Sequence, residues 1–479
     1  MTILNLCSIL VVLYSFSMLV PCLIGLVHGE QDLSAFLITF AGALSLGSTC
    51  WLATRKHTET LRTRDGFLVT VLFWLIFSIV STMPFLLDRR LELSVIDAVF
   101  EGTSGITTTG ASVLANIDLA PKSILYYRAQ LNFLGGLGII VLAIAVLPLL
   151  GIGGAKLYQS ETPGPLKEER LTPRLKDTAT HLWLTYVGLA VICGLAYFWA
   201  GLSWFDAVCH SLSTVSLGGF SPRGESLGYY DSLAVELVGG VFSILAAINF
   251  ALYFTAFARR SFLPIIGNPE LRFFLLVLTL VVAFVCVEID RAGLFGGSEG
   301  LVHGFFQAVS IMTDNGLTAA GYPSWPEHIV LLMLGSSFFG GCVGSTCGGI
   351  KAMRFLLLYQ QSNREVKQLI HPAAVYANTV GSSAVSDRVV RSVWGLFFLY
   401  SMVASAFIWG LTATGYDLAT AFGTVAACLN NMGVGHGETA TGFGGLNDPA
   451  KWMMCAAMLF GRLEIFPIMI VLSRTFWRF

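Results

Sequence analysis

The apolar runs of this chain are long enough to cross a lipid bilayer, and they recur along its whole length. Runs such as 66–87 and 231–258 are almost entirely apolar, and a membrane helix needs about 20 such residues. Only 12% of the 479 residues are charged, against about 25% in an average soluble domain. Too few charges remain to cover a water-facing surface. A membrane barrel would show short alternating segments instead. The expected class is therefore an all-α polytopic membrane protein.

Hydropathy places ten spans near 4–27, 33–54, 66–87, 125–150, 180–200, 233–258, 272–290, 327–357, 389–412 and 450–476. The first has no basic leader and no small-residue cleavage site, so it is expected to be a retained helix. The net charge of −1 offers no field for nucleic acid. The ten cysteines lie mostly in apolar segments, form no CxxC pair, and read as small buried hydrophobes.

Shorter apolar stretches lie near 97–108, 206–216, 303–314 and 419–430, each followed by a Gly-containing turn. They are too short to span, and are expected to be re-entrant segments buried within protein. Lys and Arg test the topology. With both termini in the cytoplasm, twenty basic residues fall inside, among them Arg55, Lys156, Arg259, Lys351 and Arg474, and seven fall outside. That split puts all four turns on the outer side. The longest cytoplasmic connections, 151–180 and 358–391, are candidate docking surfaces for a cytosolic partner.

The four turns repeat. Aligned on their glycines, they read Asp97 to Gly110, Asp206 to Gly219, His303 to Gly316 and Thr420 to Gly433. Six positions before the glycine stand Ser104, Ser213 and Ser310, with Ala427 in the divergent fourth repeat. Each stretch lies between two spans, so the unit is span, pore helix, turn, span. The predicted architecture is four such repeats around a pseudo-fourfold pore, preceded by two extra spans. Its divisions are 1–60 for the extra spans, then 61–155, 156–262, 263–375 and 376–479 for the repeats.

Four turns around an axis suit a cation. A dehydrated ion needs several oxygens in place of its water shell, and inward backbone carbonyls supply them. Glycine allows the required backbone angles. Helix C-termini aimed at the turn add partial negative charge. The candidate ion-binding residues are Thr108, Thr109, Gly110, Leu217, Gly218, Gly219, Asp314, Asn315, Gly316, Asn431, Met432 and Gly433. Asp97 and Asp206 read as caps of their pore helices.

The motifs Thr107-Thr-Thr-Gly-Ala111, Leu217-Gly-Gly-Phe-Ser221, Asp314-Asn-Gly-Leu317, Asn430-Asn-Met-Gly-Val-Gly435 and Gly461-Arg-Leu-Glu464 resemble those of the Trk/Ktr/HKT superfamily of potassium transporters. The two extra N-terminal spans resemble its TrkH branch. The resemblance implies a four-turn potassium filter in a bacterial inner membrane protein. It also implies a homodimer with one pore per subunit, associated with a cytosolic nucleotide-binding regulatory subunit of the TrkA kind. Leu217 stands where such filters commonly carry threonine, which removes a hydroxyl but no carbonyl.

Two features suggest gates. Arg462 lies halfway along the last span, where a charge normally faces a cavity or a partner. It reads as a positive barrier below the filter, the role the resemblance implies, or as an ion pair with Glu464 or Glu288. In span eight, Gly340, Gly341, Gly344, Gly348 and Gly349, with Ser345 and Thr346, cannot hold a stable helix. They read as a flexible intramembrane loop, with Lys351 and Arg354 expected at the cytoplasmic mouth. No GxxxxGK[ST] phosphate loop, metal-ligand spacing or catalytic triad appears. The reading is gated, channel-like potassium uptake by a protein that is not an enzyme and carries no organic cofactor. The alternative is a proton- or sodium-coupled symporter, for which Asp314 is a candidate acid.

Overall fold

A computed structural model describes residues 1–56, 63–138, 175–374, 376, 379–381 and 383–478. Long apolar helices cover Thr63–Leu87, Leu175–Trp199, Pro269–Arg291 and Asp387–Ala413, and the extra N-terminal pair covers Thr2–Val27 and Ser34–Thr54. Large apolar side chains such as Leu26, Trp199, Phe398 and Trp409 stand exposed on their outer faces, as a lipid-facing surface requires. The span expected over 125–150 begins as Lys122–Phe133. It continues through Leu134–Gly138, and 139–150 fall outside the described residues, as does most of the polar connection 151–180.

The N-terminal pair docks on the first repeat through polar bonds, one of them buried. Tyr14 shares a 2.6 Å hydrogen bond with Ser81, and their surroundings are apolar and buried. In the loop between the two helices, the Glu30 carboxylate accepts from the Ser123 backbone N–H at 2.8 Å and its hydroxyl at 2.7 Å. Arg90 pairs with Glu30 at 3.0 Å.

Four short helices, Val95–Ile106, Trp204–Ser216, Gly297–Met312 and Leu418–Leu429, occupy the expected pore-helix positions. Their starts correct one expectation. The caps are Ser94 and Ser203, whose hydroxyls accept from the Asp97 and Asp206 backbone N–H groups. The aspartates sit three residues further in, where their charge still faces the positive helix end. Asp97 pairs with Lys451 at 2.6 Å and Asp206 with Arg223 at 2.8 Å.

All four pore helices stop in the same way. The N–H of Thr109, Gly218, Asn315 and Met432 returns to the carbonyl of Ser104, Ser213, Ser310 and Ala427, respectively. The preceding N–H of Thr108, Leu217, Asp314 and Asn431 closes a tighter turn onto Gly105, Thr214, Ile311 and Cys428. This is the Schellman arrangement, which needs a left-handed residue just past the helix. It uses the backbone carbonyl at the serine position, so Ala427 serves as well as serine.

The second helix of every repeat breaks, although the sequence suggested a break in one. In the first repeat the helix passes into a distorted segment at Leu134–Gly138, with Gly136 at φ −60°, ψ −108°. In the second, Leu233–Ala247 and Phe250–Arg259 meet at 84°. In the third, Glu327–Ser337 ends in the Gly-rich loop, and Ala352–Ile370 resumes beyond it. In the fourth, Asp448–Arg462 and Phe466–Leu472 meet at 111°.

Candidate functional site

The four turns share one backbone pattern. φ is positive at Thr108 and Gly110, at Leu217 and Gly219, at Asp314 and Gly316, and at Asn431 and Gly433, and the residue between each pair stays negative. Alternation of this kind turns successive N–H groups to one side of the chain and carbonyls to the other. The first residue of each pair is the left-handed one that terminates the pore helix. The second is the invariant glycine of the repeat. Left-handed backbone costs a non-glycine residue about 1–2 kcal/mol, and Thr108 is β-branched, for which it is a true outlier. Such strain accumulates at functional sites.

The turns close on one another. A side-chain carbon built on Gly110 would collide with the Gly218 carbonyl oxygen, and one on Gly219 would lie 2.6 Å from that of Asn315. One on Gly316 would strike the Met432 oxygen, and one on Gly433 the Thr109 oxygen. Each glycine thus abuts the carbonyl that precedes the next repeat's glycine, in the order one, two, three, four and back to one. The result is a ring of four turns, buried from Thr107 to Thr109 and from Thr313 to Asn315.

Polar side chains lock the ring from behind. The Asn431 amide donates to Thr109 Oγ1 and to the Met458 carbonyl, both at 2.9 Å. The Asn315 amide donates to Ser243 Oγ at 2.7 Å, and the Asn132 amide to Ser213 Oγ at 3.2 Å. Nine residues before the glycine, Glu101 and Gln307 hold the backbone N–H of Val113 and Ala319, three residues after it. The second repeat has Pro222 at that place, which has no N–H. Its ninth-position residue, His210, makes no hydrogen bond through either ring nitrogen among the described residues.

Glu101 also forms a fully buried ion pair with Arg128 at 2.8 Å. Arg128 donates to the Ser221 carbonyl at 2.8 Å and lies 4.1 Å over the Phe220 ring. It therefore ties the first turn to the second. Arg128 is one of the seven basic residues that the sequence places on the outer side. A glutamate inside a pore helix, in register with a glutamine two repeats later, was the signal available.

Below the ring, the four helix breaks satisfy one another in pairs. Arg462 donates to the Gly135 and Gly136 carbonyls freed by the distorted segment of the first repeat, and to Thr108 Oγ1 at 3.1 Å. The guanidinium thus touches a turn residue directly and lies 5.2 Å from the Trp74 ring. The ion-pair partners considered for it are engaged elsewhere: Glu464 with Arg354 and Glu288 with Arg291.

The Gly-rich loop fills the break of the second repeat. The Cys342 N–H donates to the Ala247 carbonyl at 2.9 Å, and the Phe250 N–H to the Gly344 carbonyl at 3.1 Å. Thr346 Oγ1 donates to the Val215 carbonyl at the end of the second pore helix, at 3.1 Å. Gly348 packs so closely on the Asn430 carbonyl that a methyl group would collide with it. The loop thus lies between the ends of the second and fourth pore helices. Lys351 and Arg354 depart from expectation. Lys351 is buried and its ammonium donates to the Cys347 carbonyl, and Arg354 is buried against Glu464. Both are drawn inward because the loop folds back and the helix restarts at Ala352.

Comparison with known proteins places this arrangement. The model of the TrkH family, described as cation transport protein, matches residues 32–477. The chain belongs to the TrkH family. Across 99% of its length it is 52% identical to the Trk system potassium uptake protein TrkG of Escherichia coli strain K12, covering 98% of that protein. It is 45% identical to Trk system potassium uptake protein TrkH of Vibrio parahaemolyticus over 100% of this chain and 99% of that one. The crystal structure of the potassium transporter TrkH from Vibrio parahaemolyticus superposes with a TM-score of 0.90 at 43% identity, covering 100% of this chain and 99% of the other. The expected fold is borne out, and so is a transport role in place of an enzymatic one.

Proposed function

We propose that this chain takes up potassium across the bacterial inner membrane through the ring of four turns. The observation that carries this is the closed ring itself. Four strained turns, each braced by the carbonyl of the next, are what a ring of cation ligands requires. The relatives named as potassium uptake proteins support potassium as the ion.

Thr108 to Gly110, Leu217 to Gly219, Asp314 to Gly316 and Asn431 to Gly433 form the filter, and the repeats follow the divisions given above. Arg462 and the loop from Gly340 to Gly349 close the path below it, with Lys351 at the loop's end. The termini are cytoplasmic, and the outer ends of the pore helices carry the Asp97–Lys451 and Asp206–Arg223 pairs. The helix Ala352–Ile370 leaves the loop directly and exposes Val366, Leu369 and Ile370 beside charged residues. That surface suits a cytosolic subunit of the TrkA kind, and such a subunit pulling on this helix would move the loop. The chain works as a homodimer with one pore per subunit.

Flux through purified protein in liposomes tests the gate. Arg462→Ala and deletion within 340–349 are each expected to raise potassium flux. Unchanged flux in both removes them as gate elements.

A further inference from the structure

Two ionisable side chains at the inner edge of the ring are left incompletely satisfied. Asp314 is the left-handed residue of the third turn and is fully buried. Neither of its carboxylate oxygens has a hydrogen-bond partner among the described residues. At the same position Thr108 Oγ1 accepts from Arg462, the Asn431 amide nitrogen donates to Thr109 and Met458 while its oxygen lacks a partner among the described residues, and Leu217 is apolar, so Asp314 is the acidic one of the four. The carboxylate points at the loop, and a methyl group on Gly340 would lie 3.5 Å from its Oδ2.

Lys351 ends that loop. Its ammonium has three donors, and its one hydrogen bond among the described residues runs to the Cys347 carbonyl. Gly340, which lies against Asp314, also packs on the Gly348 carbonyl, next to the Cys347 carbonyl that holds the ammonium, and among the described residues no ion pair joins Lys351 to Asp314. A buried carboxylate without a partner is costly, and a buried ammonium likewise. The structure holds both within one loop's reach, which fits a place where a mobile cation comes and goes.

We propose that Asp314 binds a dehydrated monovalent cation on the cytoplasmic side of the filter, and that the Lys351 ammonium is its tethered competitor. This rests on the reading of the turns as a cation filter with the Gly-rich loop below them. An ion leaving the filter takes the carboxylate and pushes the ammonium away. When the site is empty, the ammonium rests nearby on the Cys347 carbonyl and the loop stays in place. Lys351 would then sense ion occupancy and pass it to the loop and to the helix Ala352–Ile370.

Binding of radiolabelled rubidium to the purified full chain tests this, with potassium flux in liposomes as the second readout. Lys351→Met should tighten rubidium binding about tenfold, within the range of coupling between neighbouring charges. In the Asp314→Asn background the same substitution should change nothing. Equal tightening in both backgrounds, or none in either, overturns the proposal. Asp314→Glu, which keeps the carboxylate, should preserve the Lys351 effect and serves if the asparagine variant does not fold. Loop deletion within 340–349 reads the gate separately: if it leaves flux unchanged while the rubidium coupling persists, the gate reading fails and this site stands.

Discussion

Gly219→Ala should abolish potassium over sodium discrimination while leaving the protein folded. Gly219 has φ +73°, and an alanine methyl there would sit 2.6 Å from the Asn315 carbonyl oxygen. The left-handed backbone alone costs alanine about 1–2 kcal/mol, a modest part of a typical stability of about 5–15 kcal/mol. The collision matters more. Ordinary contact needs about 3.5 Å, so the carbonyl must retreat by close to an ångström. It cannot retreat alone, because the Asn315 N–H is held by the Ser310 carbonyl at 2.8 Å and its side chain by Ser243 at 2.7 Å. The third turn must therefore move as a whole, and its neighbour is the fourth. The reversal potential across planar bilayers, with potassium on one side and sodium on the other, reads the outcome. Gly335→Ala is the control: it lies in the last turn of its helix with open space around it, and alanine there should leave the fold and the ring intact. An unshifted reversal potential for Gly219→Ala, or an equal shift for Gly335→Ala, refutes the ring as the selectivity element.

Glu101→Gln should lower stability by about 3–5 kcal/mol, because it strands the buried Arg128 charge, and a second change, Arg128→Met, should recover part of the loss. Thermal unfolding of the solubilised protein, followed by size exclusion, measures both. Glu30 gives a pH signature. Burial pushes its carboxyl up, but the bonds from Ser123 and Arg90 outweigh burial and hold it below its usual value of 4.5. A depressed carboxylate contributes stability that is present above the unfolded value and is lost as pH falls through the folded one. The thermal advantage of the wild type over Glu30→Gln should therefore be full at neutral pH and vanish as the pH drops below 4.5. A constant difference across that range would contradict it.

Much of this architecture is written in local pattern. Apolar run length fixes the membrane class, because a bilayer leaves a backbone few ways to satisfy its polar groups. The registered glycines mark the turns, because only glycine takes the second left-handed position without strain. Asp314 and Asn431, residue types that tolerate left-handed backbone, hint at the first such position, but Thr108 and Leu217 hide it. The Gly-rich loop shows itself through composition. The breaks near Gly136, Asn249 and Leu463 do not, since one or two residues bend each helix inside an otherwise ordinary apolar run.

The sequence by itself thus determined the membrane class, the fourfold repeat and the residues of each turn, all consequences of short-range backbone and solvation rules. Only the tertiary structure decided what those residues touch. It closed the four turns into a ring, placed Arg462 on the freed carbonyls of Gly135 and Gly136 more than 300 residues away, and left Asp314 without a hydrogen-bond partner among the described residues. It also drew Lys351 inward from the mouth where its position in the chain had put it. Those are long-range pairings between broken helices. They are selected because every backbone group freed within a membrane must find a partner, and no local pattern says which partner that is.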